Sequence, residues 1–425
     1  MYFREMNISK IFSNILFLLW VVLLGYRINL VGSISITELL VITQIPRLWK
    51  LCEKLKFKEL LDVRLLFILL ILAQAISEFL LGNTFINAIK GIMVTIMAFF
   101  LMCFFTEKLI KTPSLIIWIP LGRVISLLIF GDQFGYAEQG DITFFKFYVA
   151  PIVCNFACFL TVFSKWKWIK ANVVLFLTCV SLFVIVGGAR SLGFTLLFTA
   201  LVVQIVNLQK RISLRKFLLW CIPFLLVFQI FYAFVYVPKV KSGEWGSEQN
   251  RAQLAQIDYS KNSLMMIVAA RSDFFVTTQA FLDAPILGHG NLAEDTTLKY
   301  TYMALRIAGD DGMPNCDNGY PQIPTHSILM GYGSRYGIAA LIIFTIIFLK
   351  MIAFAFKTFS PKSVFLPILV YSMIFSIQAI LFSPPAILKN SAALYWALIM
   401  ALFYLKKYNR NKNDKNEIAC SNCNL

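Results

Sequence analysis

The chain contains 425 residues, of which 59% are apolar and 14% are charged, whereas about one quarter of the residues in an average soluble protein are charged. This composition excludes a water-soluble globular protein. The net charge of +17 does not indicate nucleic-acid binding, because the basic residues cluster in short polar connectors between apolar stretches. We therefore predict an all-α fold, a polytopic bundle of transmembrane helices.

The apolar stretches predict about twelve spans, each near the length that crosses about 30 Å of hydrocarbon. The first stretch follows Arg4 and Lys10 and lacks a small-residue cleavage site, so we predict a retained helix rather than a removed signal peptide. The predicted spans are residues 11–27, 30–46, 65–81, 85–106, 113–130, 143–163, 169–187, 192–208, 216–237, 326–355, 363–383 and 391–406.

Six basic connectors predict the orientation of the bundle. With a cytoplasmic N-terminus, all of them fall on the cytoplasmic side, as the positive-inside rule requires. They are residues 47–64, 107–111, 165–170, 209–216, 357–362 and 406–415. We accordingly predict nine spans within residues 1–237, a long outer loop at 238–325, three spans within 326–406 and a cytoplasmic polar tail at 407–425.

The outer loop carries seven Lys and Arg against ten Asp and Glu, a net charge of −3 that suits an exported segment. Within it, residues 262–290 show helical periodicity, with Asn262 or Ser263 as cap and Pro285 at the end. Arg271 lies on the apolar face of this amphipathic helix. The predicted apolar stripe contains Leu264, Ile267, Val268, Phe274, Phe275, Thr278 and Phe281.

Two arginines are candidates for binding an anion at the outer face. A guanidinium on an apolar helix face needs an anionic partner or a polar cavity, which makes Arg271 either half of an ion pair or an anion site. Arg190 follows Gly187 and Gly188 in a tight turn on the outer side, where the positive-inside rule disfavours arginine. A local salt bridge is the alternative for each of them.

His326 is the candidate proton acceptor, because an imidazole is substantially uncharged at neutral pH. On a helix that begins near residue 325, Met330, Gly333 and Gly337 would share its face, and the small residues would allow close packing. The alternative is a capping or packing histidine. The other histidine, His289, lies in a Gly-flanked turn that we predict to be flexible, and it is the second choice.

Three further charges fall within predicted spans. Lys90 and Glu78 flank the same outer hairpin, so we predict an interhelical ion pair between them. Arg123 has no obvious partner and is a candidate for lining a polar cavity that takes a phosphate. We predict no metal site, since Asp310, Asp311 and Asp317 match no calcium-loop spacing, and the Cys420–Cys423 pair lacks further ligands.

The stretches GGARSLG (187–193), RSDFFVTTQAFLDAPILGHG (271–290) and THSILMGYGSRYGIAALIIF (325–344) together resemble the bacterial O-antigen ligase and O-antigen polymerase superfamily of integral membrane glycosyltransferases. The resemblance covers roughly the C-terminal half. The second stretch is similar to the family's arginine, aromatic-rich helix and Pro-x-x-Gly-x-Gly turn, and the third to its histidine and Gly-led span. Ser327 departs from the Asn that many members have after the histidine.

The resemblance implies a multi-pass protein of the bacterial inner membrane that transfers a saccharide from undecaprenyl diphosphate on the periplasmic side, without a metal or other cofactor. His326 would then be the catalytic base, and Arg190 and Arg271 would bind the diphosphate. Implied partners are the lipid-linked oligosaccharide, membrane lipid and a chain-length regulator protein. An O-antigen polymerase is the expectation. A ligase acting on lipid A core is the alternative, and a lipid-linked sugar flippase is a weaker one.

Overall fold

A computed structural model of the chain describes residues 8–29, 32–55, 57–131, 144–163, 167–209, 219, 230, 232–245, 272–308 and 319–422. The described part is nearly all helical, as predicted, with one two-stranded sheet. Its α-helices are α1 (Ile8–Leu23), α2 (Ile36–Ile42), α3 (Ile45–Lys54), α4 (Lys58–Leu80), α5 (Phe85–Lys111), α6 (Trp118–Phe130), α7 (Ala150–Phe163), α8 (Lys167–Ala171), α9 (Val173–Val186), α10 (Arg190–Gln209), α11 (Val237–Lys241), α12 (Ser272–Asp283), α13 (Lys299–Ala308), α14 (Ile328–Thr358), α15 (Leu366–Phe382) and α16 (Ala393–Asn422). A 3-10 turn (Pro113–Ile117) and π-helical turns (Phe145–Val149, Tyr232–Tyr236, Leu388–Ala392) extend some of them.

Seven helices of the described part are long and apolar enough to cross a membrane. They cover Lys58–Leu80, Phe85–Lys111, Pro113–Phe130, Phe145–Phe163, Arg190–Gln209, Ile328–Thr358 and Leu388–Tyr408. Shorter apolar helices at Ile11–Leu23, Val173–Val186 and Leu366–Phe382 coincide with three more predicted spans. The predicted span at 216–237 lies largely outside the described residues.

The predicted span at 30–46 is wrong as a single helix. Strands β1 (Arg27–Asn29) and β2 (Ser33–Ser35) form an antiparallel hairpin there, and α2 follows with only seven residues. A capping box starts α2, since Ser35 Oγ accepts from the Glu38 N–H at 3.2 Å while Glu38 Oε2 accepts from the Ser35 N–H at 2.5 Å. Satisfying these backbone groups locally fixes a helix start in the middle of the apolar stretch.

Several predicted basic connectors meet at one end of the bundle. Arg47 contacts Glu107 at 2.5 Å, and Lys407 contacts Glu59 at 2.7 Å. Lys406 also donates to the carbonyl of Lys357 at 2.8 Å. Connectors 47–64, 107–111, 357–362 and 406–415 therefore share this end.

The opposite end, which we call the His326 end, contains the turn from α4 to α5 and the start of α14. The segment 285–291 links them: Ser77 Oγ donates to the Leu287 carbonyl at 2.5 Å, and the Ile338 N–H donates to the Pro285 carbonyl at 2.8 Å. Between the two ends, α16 packs against α5, α14 and α15, and its Trp396 is fully buried.

Candidate functional site

His326 lies exposed in the extended segment just before α14. The helix begins at Ile328, not near residue 325 as predicted, so His326 precedes the helix and does not share a helical face with Gly333 and Gly337. Its neighbour Ser327 is the N-cap, because the Ser327 hydroxyl accepts from the Met330 N–H at 3.2 Å. The Ser327 cap therefore fixes the start of α14 and leaves His326 as the last residue of the segment before it.

The glycines of α14 do allow close packing, and their partner is the segment that leads from α12. Gly337 has φ 77° and ψ −171°, which breaks α14 into two parts. A side chain there would clash with the Ile286 carbonyl, and one at Gly333 would meet Phe281 at 3.0 Å. Residues of α12 and the turn after it, and not a lipid chain, therefore pack against these glycines.

His289 belongs to a firmly held turn and not to a flexible one. Its N–H donates to the Ser334 carbonyl, and the Gly290 N–H donates to the Arg335 carbonyl, both at 2.8 Å. These carbonyls lie at the break in α14, where the helical ladder is interrupted. Gly288 and Gly290 have φ of 74° and 89°, the left-handed region in which glycine is favoured, which explains the Gly-x-Gly pattern.

The His289 side chain contacts the outer-loop helices. Its Nε2 lies 2.8 Å from the Ala280 carbonyl and 3.4 Å from the Tyr300 hydroxyl. The Lys299 ammonium and the Tyr300 hydroxyl donate to Asp283 Oδ2 at 2.6 and 2.7 Å, and they hold the pKa of that carboxyl at about 2. This cluster ties α12 to α13.

Arg190 is the first residue of α10, directly after the predicted tight turn. Gly188 has φ 99°, the left-handed region that favours glycine, and the absence of a side chain at Gly187 leaves room for the Phe145 ring. The Arg190 guanidinium lies 5.7 Å from the centre of the Tyr236 ring.

Helix packing places Arg190 at the His326 end. Residues at the end of α10, such as Asn207, line the same cavity of about 700 Å³ as Leu366, the first residue of α15, and Pro361 in the turn before it. The two helices also pack against each other. Because the end of α10 lies beside the start of α15, they run antiparallel. Arg190, at the start of α10, therefore lies at the same end of the bundle as Phe382, at the end of α15.

Arg271 lies outside the described residues, but α12 begins at the next position, Ser272. The predicted end of this helix before Pro285 is confirmed. The predicted stripe is partly wrong, since Phe275 is 37% exposed and the buried positions of α12 are Val276, Thr277, Ala280 and Phe281. Phe274 packs against Phe382 with ring centres 5.9 Å apart, which brings the start of α12 to the end of α15.

The loop after α15 also approaches His326. A side-chain carbon at Gly331 would lie 3.6 Å from Pro385 and 3.9 Å from Thr325, the residue before His326. The start of α12, the end of α15 and the start of α14 are therefore neighbours at the His326 end.

Arg335 is a site residue that the sequence analysis missed. Its guanidinium donates to Thr325 Oγ1 at 2.6 Å and to Asn291 Oδ1 at 2.9 Å, so it joins the segment before His326 to the turn after α12. The Asn291 N–H in turn donates to Glu78 Oε1 at 2.8 Å. The sequence does contain a signal for Arg335, because this residue is a charge within an apolar stretch. The same criterion selected Arg123.

The predicted Lys90–Glu78 ion pair is wrong. Glu78 accepts from the Asn291 N–H and from Asn83 Nδ2, the latter at 2.7 Å, and no ion pair joins it to Lys90 in the described part of the chain. A backbone N–H and an amide near the hairpin satisfy the Glu78 carboxylate instead.

Arg123 belongs to a second group, the Arg27–Arg123–Lys389 cluster. The Arg123 guanidinium donates to Ser391 Oγ at 3.1 Å and to the Asn390 carbonyl at 3.5 Å. Lys389 donates to the Ser33 carbonyl at 2.7 Å, and Arg27 donates to Ser33 Oγ at 2.6 Å. The sequence analysis missed Lys389, which falls just before the predicted last span.

No protein-family model matches the chain, and no curated protein matches it.

Proposed function

We propose that the chain is a glycosyltransferase that joins oligosaccharide repeat units carried on undecaprenyl diphosphate, acting as an O-antigen polymerase at the periplasmic face of a bacterial inner membrane. The observation that supports it most directly is the proximity of three elements at the His326 end. These are the segment bearing His326, the end of α15, and α12, which follows Arg271 directly.

In this proposal His326 acts as the general base. It takes the proton from a hydroxyl of the acceptor sugar as that oxygen attacks the anomeric carbon of the donor. The bond from that carbon to the diphosphate oxygen breaks, and its electron pair leaves with the diphosphate. His326 is exposed in front of the Ser327 cap, which suits a residue that meets an acceptor at the surface.

Arg190 and Arg271 stabilise the negative charge that develops on the leaving diphosphate. Guanidinium groups suit this role because they stay protonated and present several donors in a plane. Arg190 stands at the first position of a helix, where the helix dipole favours a nearby negative charge.

Apolar side chains beside the site suit a lipid-linked donor. Phe275, Leu282 and Ile286, on α12 and the turn after it, are 37%, 60% and 76% exposed. An exposed apolar group of this kind is typical of contact with lipid. The undecaprenyl chain would lie against these residues while its diphosphate faces the arginines.

The substitution His326→Gln tests the proposal. Glutamine retains size and hydrogen bonding but cannot take up the proton, so turnover of lipid-linked repeat units should fall by about a hundredfold or more. The purified protein is reconstituted in proteoliposomes with lipid-linked donor, and polymer length and donor consumption are measured. Adding lipid A core as the acceptor in a parallel assay distinguishes a ligase from a polymerase.

The matched control is His289→Gln, the same change at the only other histidine of the chain. Glutamine can still donate to the Ala280 carbonyl, so this variant should keep turnover within about twofold of the wild type. Near wild-type turnover by His326→Gln would show that the histidine only positions substrate or packs the segment before α14. Transport of lipid-linked units without any glycosidic bond formation would instead indicate a flippase.

A further inference from the structure

The Arg27–Arg123–Lys389 cluster contains a charge, that of Arg123, for which the described part of the chain provides no ion pair. Lys389 pairs with Glu38 at 2.9 Å, and both side chains are buried, with 9% and 1% of their surface exposed. Arg123 is different, because its described partners are the neutral Ser391 hydroxyl and Asn390 carbonyl. A charge held among apolar helices normally pairs with another charge or lines a cavity for one.

The backbone around Lys389 deviates from an ordinary helix. Residues Leu388–Ala392 form a π-helical turn, a feature that occurs often at functional sites. This turn supplies both described partners of Arg123, from Asn390 and Ser391, together with the ammonium of Lys389.

Asn390 gives an independent indication that the cluster takes a ligand. Its side chain is 1% exposed, and neither its nitrogen nor its oxygen has a hydrogen-bond partner in the described part of the chain. Buried amides are nearly always hydrogen-bonded, so this one has capacity to bind a ligand or a water molecule. Its backbone carbonyl accepts from the Arg123 guanidinium at 3.5 Å, so the residue lies beside the cluster.

We propose that the Arg27–Arg123–Lys389 cluster binds a terminal phosphate group. Two guanidinium groups and one ammonium provide the planar and point-charge donors that phosphate oxygens accept, and the Asn390 amide adds neutral donors. Arg27 and Arg123 are half-buried, which leaves a route for the phosphate from the surface. The proposal concerns binding alone and does not depend on the proposed transferase activity.

Native mass spectrometry of the full-length, delipidated protein in detergent tests the site. Phosphatidic acid, which has a terminal phosphate, is compared with phosphatidylcholine, whose choline covers the phosphate. The wild type should retain phosphatidic acid about tenfold more strongly than phosphatidylcholine, the difference expected for one charge-assisted contact.

Inorganic phosphate is then added as a competitor. Displacement of phosphatidic acid identifies free phosphate as a sufficient ligand, whereas retention of phosphatidic acid identifies a lipid headgroup. Both results support the site.

The decisive variant is Arg123→Gln, which can still donate to Ser391 and removes no partner of a buried charge. It should lose the preference for phosphatidic acid, while Arg123→Lys should keep part of it. The matched control is Lys350→Gln, which removes a lysine with a long 3.7 Å contact to Asp62 elsewhere on the bundle. Folding of each variant is checked by its thermal unfolding temperature, which phosphatidic acid should raise in the wild type and in Lys350→Gln but not in Arg123→Gln. An unchanged preference in folded Arg123→Gln overturns the proposal.

Discussion

At the scale of the residue, Arg335 positions the segment that carries His326. One guanidinium nitrogen binds Thr325 and another binds Asn291, so a single rigid side chain spans two segments that are distant in sequence. Arginine suits this bridge because its donors diverge in a fixed plane, whereas lysine has one point charge on a flexible stem.

We expect Arg335→Met to destabilise the attachment of the segment before α14 by about 2 kcal/mol, the usual contribution of hydrogen bonds to a charged donor. Limited proteolysis should then cut between residues 319 and 327 faster than in the wild type. Arg335→Lys should restore little, because one ammonium cannot reach both partners in the same geometry. Full protection in the lysine variant would mean that charge alone, and not the bridge, holds the segment.

At the scale of the element, the turn after α12 replaces part of the hydrogen-bond ladder of α14. The Pro285 carbonyl accepts from the Ile338 N–H, and the Ser334 carbonyl accepts from the His289 N–H, so the break at Gly337 leaves these groups satisfied. A break in a membrane helix is tolerated only when its freed groups find such partners. The Pro-x-x-Gly-x-Gly pattern and the Gly-led span therefore form one structural unit.

Gly337→Ala should disrupt this unit. The residue adopts a backbone conformation open almost only to glycine, and a side chain would also clash with the Ile286 carbonyl. We expect a loss of at least about 3 kcal/mol of stability, seen as a large fall in the thermal unfolding temperature or in the yield of monodisperse protein.

Gly82→Ala serves to separate the cost of backbone strain from the cost of the clash with Ile286. Gly82 also has a positive φ, 66°, but no atom lies within 4 Å of the position that a side chain would take. This variant should lose only about 1–2 kcal/mol from backbone strain. Equal losses in both variants would mean that the contact with Ile286 contributes nothing.

At the scale of the whole molecule, charge is distributed unequally between the two ends of the bundle. Basic connectors meet at the end that contains Arg47 and Lys407, where Glu107 and Glu59 are their partners. The opposite end carries the candidate site. The positive-inside rule therefore predicts that the connector end is cytoplasmic, and we propose that the His326 end is periplasmic.

Cysteine labelling tests this orientation. In a variant without the nine native cysteines, single cysteines introduced between residues 240 and 320 should react with an impermeant thiol reagent added to intact cells. Cysteines at residues 50–60 and 410 should react only after the membrane is opened. Labelling of residues 50–60 in intact cells would reverse the predicted orientation and exclude His326 from the periplasmic face.

The sequence by itself determined which segments are apolar helices and where the charged connectors lie, because hydrophobicity and charge are properties of each segment alone. It could not show that a strand (β2) and a short helix (α2) lie within the predicted span at 30–46, since the capping box at Ser35 and Glu38 starts a helix inside an apolar run. It selected His326, Arg190 and Arg123 and offered the same signal for Arg335, whereas the partners of Arg335, Lys389 and Glu78 depend on contacts between residues far apart in the chain. Only the tertiary structure decides such contacts, because a buried polar group takes whichever donor or acceptor the packing of the helices brings within reach.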